Sequence, residues 1–221
     1  MNEQVIILGA GSKAVHLVDL FNMWYEVHQF YDTPHGDREQ KRGKPVQLNI
    51  DYSRKKLVAL SAVGDTRPKR DIIRQFKNQC NIYEIPYRWG KRVHKSAIIT
   101  NTKEIGVDFT LRELSSIGSQ CKIGNHVAIG PLVNISHNSV IGDYSTICGQ
   151  VAISGGVKIG EGVFIGQGAS IKPNIVIGDG VVVGTGSVVV KDIPEDMVVA
   201  GNPASRNPKF KDVTPWNIRE S

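Results

Sequence analysis

The chain has 221 residues, 40% hydrophobic and 22% charged, the balance of a globular protein with one large domain or two small ones. No apolar run approaches the roughly 20 residues of a membrane helix, and the opening MNEQVIILGAG lacks a secretory-signal layout. Membrane insertion and export are therefore not expected, and a cytoplasmic setting is. Cys80, Cys121 and Cys148 are an odd set without a CxxC pair, which argues against a disulfide framework and a metal site.

The charge divides unevenly. Residues 1–92 hold 16 Lys and Arg against 10 Asp and Glu, whereas 93–221 hold 11 of each. The basic excess of the first part suits an anionic partner such as a phosphorylated small molecule. Nucleic acid is not expected, because the basic residues are not interleaved with aromatics.

In chain order, Gln4–Leu8 is a β-branched apolar run that ends at Gly9-Ala10-Gly11-Ser12. Lys13 to Met23 then places Ala14, Leu17, Val18 and Phe21 at helical spacing. Glu26–Tyr31 and Leu57–Val63 read as further strands, Asp71–Phe76 as the start of a helix, and Ile82–Ile85 as a last short strand. Thr33 to Asp51 is polar and irregular, and reads as a loop. Alternating strands and helices predict a small parallel sheet of Rossmann-like type over 1–92.

From Val93 the pattern changes. An aliphatic residue recurs every six positions from Val93 to Val189, which is 17 hexads without a slip. Gly often follows the aliphatic (IGNHVA, IGDYST, IGQGAS), and a small or β-branched residue usually stands four places after it. Neither a helix nor a simple strand has this period, whereas short strands joined by tight turns do. The glycines are expected to supply the positive φ of those turns. Three hexads close one triangular coil, so the repeat predicts a β-helix over 93–204, followed by a tail over 205–221. At strand spacing the prism is about 27 Å tall.

The repeat resembles the left-handed β-helix acyltransferases. Within them the chain is similar to the sugar acetyltransferases that include sialic acid O-acetyltransferases and bacillosamine-type N-acetyltransferases. The resemblance is carried by IILGAGSKAVHLVDL, VGDTRPKRDII, VHKSAIIT, the stretch ISHNSVIGDYSTICGQVAISGGVKIGEGVFIG, and GTGSVVVKDIPEDMVVAGNPA. It implies a homotrimer with active sites between neighbouring β-helices. It also implies acetyl-CoA along the groove and a nucleotide-linked amino sugar held by the Rossmann-like domain. The expected reaction is N-acetylation of that sugar for bacterial surface polysaccharide such as O-antigen. O-acetylation of a sialic acid-like sugar, or a nucleotide-sugar-binding scaffold without catalysis, are the alternatives.

Acyl transfer from a thioester needs a group that takes the proton of the attacking amine, and histidine suits this near neutral pH. His137 occupies an outward position in its hexad, at the place of the family's catalytic histidine. The family commonly has an acid next to it where this chain has Asn138. An amide can hold the ring but adds no charge, so Asp143 or another subunit is a candidate source of a carboxylate. His126 reads as a surface residue, Cys148 as a rival nucleophile, and Cys121 as core. By register, the resemblance places Thr146, Gly155, Gln167, Gly184 and Thr185 along acetyl-CoA, with the Gly155 N–H as an oxyanion donor. In the first domain it implies that Gly11, Ser12 and Lys13 cradle a diphosphate, with Asp32, Thr33, Gly64 and Asp65 around the nucleotide.

Overall fold

The computed structural model describes residues 4–8, 27–31, 57–61, 66–82, 84 and 86–206, and divides the chain into two compact units, 1–90 and 91–221.

In the first unit, β1 (Gln4–Leu8), β2 (Val27–Tyr31), β3 (Leu57–Ser61) and β4 (Tyr87–Trp89) form a parallel sheet in the order β2-β1-β3-β4. All five residues of β3 are buried, as suits an inner strand of a parallel sheet. Helix α1 spans Thr66–Ile82. Pro68 falls in its first turn, where a missing N–H costs nothing. Ile72, Ile73, Phe76 and Cys80 share one face and are buried. Phe76 meets Tyr87 and Trp89 edge-on, with ring centroids 5.1 and 5.7 Å away, and so packs α1 onto β4.

Two expectations need correction here. The helix begins at Thr66, five residues before the Asp71 read from the sequence, because Pro68 opens it rather than excluding it. The short strand is Tyr87–Trp89 and not Ile82–Ile85. Ile82 ends the helix with its side chain 72% exposed, and Glu84 turns with φ 52°. The aromatic residues, which pack on Phe76, make the strand. The expected helix over Lys13–Met23 and the loop over Thr33–Asp51 lie outside the described residues.

The second unit is the β-helix. Two-residue strands stack in parallel with a constant offset of one 18-residue coil, as in Lys122↔Val140 and Asn134↔Ala152. They form three faces. The first runs from Arg92–Val93 through Thr146–Ile147 to Val198–Ala200, with Ser205–Arg206 added antiparallel at its end. The second runs from Ile98–Ile99 through Asn134–Ile135 to Val188–Val189, and the third from Glu104–Ile105 to Val176–Ile177. Ile117, Ile135, Ile153 and Ile171 form one internal ladder, each no more than 2% exposed. The ladders are incomplete at their first ends, where Val93 of the first face and Ile99 of the second are 41% and 37% exposed because no earlier coil covers them. At the other end the register changes. Val182 pairs with Val198 and Ile177 with Ile193, so the closing coil is two residues shorter than those before it.

The glycines divide the turn's work differently from the expectation. The glycine that follows the aliphatic is not the positive-φ residue. At Gly118 a Cβ would lie 2.7 Å from the backbone N of His137, so this position is small because successive coils touch there. Positive φ falls two residues later, on Asp108, Leu114, Gln120, His126, Leu132 and Asn138 in the early coils and on glycines such as Gly168 in later ones.

Candidate active site

His137 leaves the second face at its corner with the third, one residue beyond Ser136, and its side chain is exposed. The next residue, Asn138, takes the left-handed turn position with φ 58°, which asparagine tolerates well. This turn brings the Asn138 carboxamide back to the ring, with Nδ2 3.0 Å from Nδ1 of His137. Gly155 lies one coil below the imidazole. A Cβ there would stand 2.7 Å from Cε1 and 2.8 Å from Nε2. His137, Asn138 and Gly155 therefore form one cluster.

The amides of this corner differ from those of its neighbour. At the corner between the third and first faces, the N–H groups of Val107, Asn125 and Glu161 donate to side chains one coil on. The acceptors are Asn125 Oδ1 at 3.0 Å, Asp143 Oδ1 at 2.8 Å and Asp179 Oδ1 at 2.8 Å. The residue one coil on from Gly155 is Pro173, which has no acceptor side chain.

The remaining second-unit residues lie elsewhere. Gln167, Gly184 and Thr185 stand at the corner between the first and second faces, at the opposite edge of the second face from His137. Gln167 is exposed and its Nε2 donates to Gln150 Oε1 at 3.2 Å. A Cβ on Gly184 would lie 2.8 Å from that of Ala200, so the closing strand packs over it. Thr146 is on the first face, only 7% exposed, in register with Ala128 and Phe164. Gly11, Ser12, Lys13, Asp32, Thr33, Gly64 and Asp65 lie outside the described residues.

Asp143 does not supply the missing carboxylate within the chain. It stands at the corner between the third and first faces and accepts from the Asn125 backbone N at 2.8 Å and from its Nδ2 at 3.2 Å. His126 is the second correction. It is 2% exposed, its Nδ1 lies 2.9 Å from Asp108 Oδ2, and its ring stacks on Tyr144 with centroids 5.0 Å apart. Arg92 NH2 reaches the other Asp108 oxygen at 3.4 Å. Burial lowers the pKa of the Arg92 guanidinium and Asp108 opposes that effect. Stepping through the sequence by 18 finds Asp108, His126 and Tyr144 as one column, a pattern that reading hexad by hexad misses. Cys121 is core, with Sγ 3.1 Å from the Ser136 carbonyl, while Cys148 stands at the corner between the first and second faces, away from His137. Among the described residues no group of three His, Cys, Asp or Glu is gathered to hold a metal ion, and no helix is long and apolar enough to cross a membrane.

The comparisons with known proteins agree with this fold. Residues 120–155 and 156–191 match the family described as bacterial transferase hexapeptide (six repeats). No curated protein sequence matches the chain significantly. Among solved structures, the acetyltransferase domain of PglB from Neisseria gonorrhoeae is 24% identical with a TM-score of 0.74, over 93% of this chain and 100% of that one. PerB from Caulobacter crescentus, in complex with CoA and GDP-perosamine, is 22% identical with a TM-score of 0.73, over 92% of this chain and 97% of that one. WeeI from Acinetobacter baumannii is 20% identical with a TM-score of 0.60, over 93% and 100%. The second unit is thus a left-handed parallel β-helix built on the hexapeptide repeat of the bacterial transferases.

Proposed function

We propose that the chain is an acetyl-CoA-dependent N-acetyltransferase of a nucleotide-linked amino sugar, with His137 as the general base. The observation that carries this reading is the exposed imidazole of His137, set on Gly155 and in contact with Asn138. The fold is shared along nearly the whole length with PerB, which was solved with CoA and GDP-perosamine, and with the PglB domain, which was also solved with acetyl coenzyme A.

In this reaction the sugar amine attacks the thioester carbonyl, the new C–N bond forms, and the C–S bond breaks with the electron pair on sulfur. His137 takes the amine proton and passes it to the departing thiolate, so the CoA thiol is restored and the base is regenerated. In this reading the Gly155 N–H is the donor to the oxyanion. A base working through Nε2 needs the hydrogen on Nδ1. The Asn138 carboxamide serves this tautomer by presenting Oδ1, and the opposite one by presenting Nδ2.

The site is completed by neighbouring copies in a homotrimer. His137 and the Gln167–Thr185 corner stand at opposite edges of the second face, so one CoA reaches both sets only where two β-helices meet. The outward strand positions of that face, Ile98, Ser116, Asn134, Ala152, Ser170 and Val188, are uncharged, whereas those of the third face include Glu104, Lys122 and Lys158. Leu114 and Leu132 line its edge, 65% and 50% exposed. The parallel sheet of the first unit belongs to a Rossmann-like domain that holds the nucleotide sugar through Gly11, Ser12, Lys13, Asp32, Thr33, Gly64 and Asp65. The basic excess of this region supports a phosphorylated ligand. The enzyme acts in the cytoplasm on precursors of surface polysaccharide such as O-antigen.

Thermal shift with acetyl-CoA and with UDP-, dTDP-, GDP- and CMP-linked amino sugars tests the reading, since a ligand at 100 times its Kd stabilises by about 2.7 kcal/mol. Stabilisation by acetyl-CoA and by one nucleotide family is expected. A response to nucleotide sugars without one to acetyl-CoA favours the non-catalytic scaffold, the reading to which Asn138 points.

A further inference from the structure

Gly155 departs from its own repeat in a way the backbone does not require. Its φ is not positive, because the left-handed turn residue of that coil is Gly156 with φ 72°. It is also not a close-contact glycine like Gly118, which faces the backbone of the adjoining coil. It occupies the third hexad place, where the same corner holds Asn101, Ser119, His137, Pro173 and Lys191 in the other coils. The fold therefore accepts a side chain at this place. What stands against one is the imidazole: the three nearest atoms to a Cβ at Gly155 are Cε1, Nε2 and Nδ1 of His137, at 2.7, 2.8 and 3.3 Å. Carbon contacts settle near 3.5–4.0 Å, so a methyl group and the ring cannot share the space.

We infer that Gly155 is the seat of the His137 ring, a positioning residue whose missing side chain lets the imidazole lie against the backbone of the next coil. The ring is then held from two sides. Asn138 meets Nδ1 at 3.0 Å, and Gly155 fixes how far Cε1 and Nε2 stand from the coil. The same glycine offers its N–H, so proton acceptor and oxyanion donor keep a set distance from each other. An alanine here leaves the coil intact, because its Cβ points at an exposed ring that is able to swing away. It displaces Nε2 by roughly the ångström that separates the clash from an ordinary contact. Misplacement of that size costs about 10²-fold in rate.

The kinetic arm of the test rests on the acyl-transfer reading, whereas the spectroscopic arm does not. Wild type, Gly155→Ala, His137→Ala and the double variant are compared by acetyl transfer, by melting temperature and by the NMR resonance of the His137 Cε1–H. The expected result is a kcat lowered about 10²-fold in Gly155→Ala with KM for acetyl-CoA unchanged, and a displaced or broadened His137 resonance. In the His137→Ala background the second change is expected to have no further effect. Wild-type kcat with an unmoved resonance overturns the inference. Wild-type protein inactive on every acceptor overturns the transferase reading instead, and the resonance alone then decides the seat. Should Gly155→Ala melt early, recovery of stability in the double variant supports the seat, and no recovery overturns it.

Discussion

Replacing Asn138 with aspartate converts the weakest feature of the proposed site into a test of it. The carboxamide nitrogen lies 3.0 Å from His137 Nδ1, so a carboxylate oxygen in its place meets the ring at hydrogen-bond distance. The backbone tolerates the exchange, because aspartate adopts the φ of 58° about as readily as asparagine. Two effects then add. A carboxylate only accepts, which holds the hydrogen on Nδ1 and leaves Nε2 free to take the amine proton. It also stabilises the imidazolium that forms in the transition state. The pair is exposed, so the dielectric of water applies, and Coulomb attraction at this distance is about 1.4 kcal/mol, or tenfold in kcat. The assay is thiol release from acetyl-CoA at low ionic strength with the nucleotide-linked amino sugar selected by thermal shift. Asn138→Asp is expected to be about tenfold faster than wild type. A folded Asn138→Asp variant equal to or slower than wild type refutes the idea that Asn138 acts through Nδ1 of His137.

Other consequences concern the frame around the site. Ile153 is 1% exposed between Ile135 and Ile171, rungs too firmly paired to close a hole, so Ile153→Ala is expected to cost about 2–5 kcal/mol in urea unfolding. Ile99→Ala, 37% exposed at the end of the same ladder, is expected to cost about 1.5 kcal/mol, and equal losses would contradict the stacking described. Burial pushes the Cys80 thiol up to about 11, so it stays protonated at pH 8; pulse alkylation read by mass spectrometry is expected to label it only on unfolding, and labelling at the rate of a free thiol would contradict this. Ala152→Glu places a charge on the outward side of the second face; sedimentation is expected to show trimers of the wild type, as proposed, and monomers of the variant. Trimers in both would remove that face from the interface.

The periodic part of the molecule was open to reading because six residues per side is a constraint every coil must meet. The aliphatics from Ile117 to Ile177 are where their spacing puts them, inside and in register. What spacing along the chain could not show is contact across coils. His126 looks like any outward residue of its hexad, yet Asp108 above it and Tyr144 below it enclose its ring. The closing coil lost two residues for a similar reason: after Val189 no aliphatic marks the next sixth position, and Ile193 takes the place by pairing with Ile177. Asp143, near His137 in sequence, belongs to another corner because each turn rotates the chain to a new face. In the first unit, Ile82–Ile85 has strand composition, but the aromatic packing of Tyr87 and Trp89 on Phe76 fixes the strand further on. For the site, His137 was legible only through its resemblance to known sequences, since a lone outward histidine carries no signal of its own. The seat that Gly155 gives it was not legible, because register along the chain marks the place of that glycine but not the imidazole that lies against it from the coil before.

The most direct measurement is acetyl transfer by wild type and by His137→Ala against the panel of nucleotide-linked amino sugars, with the product identified by mass spectrometry. The account predicts one acetyl group added to the amine of one nucleotide family, and a rate about 10²–10⁴-fold lower in a variant that melts like wild type. A folded His137→Ala variant that transfers at the wild-type rate, or a wild-type protein that acetylates none of the panel, would contradict it.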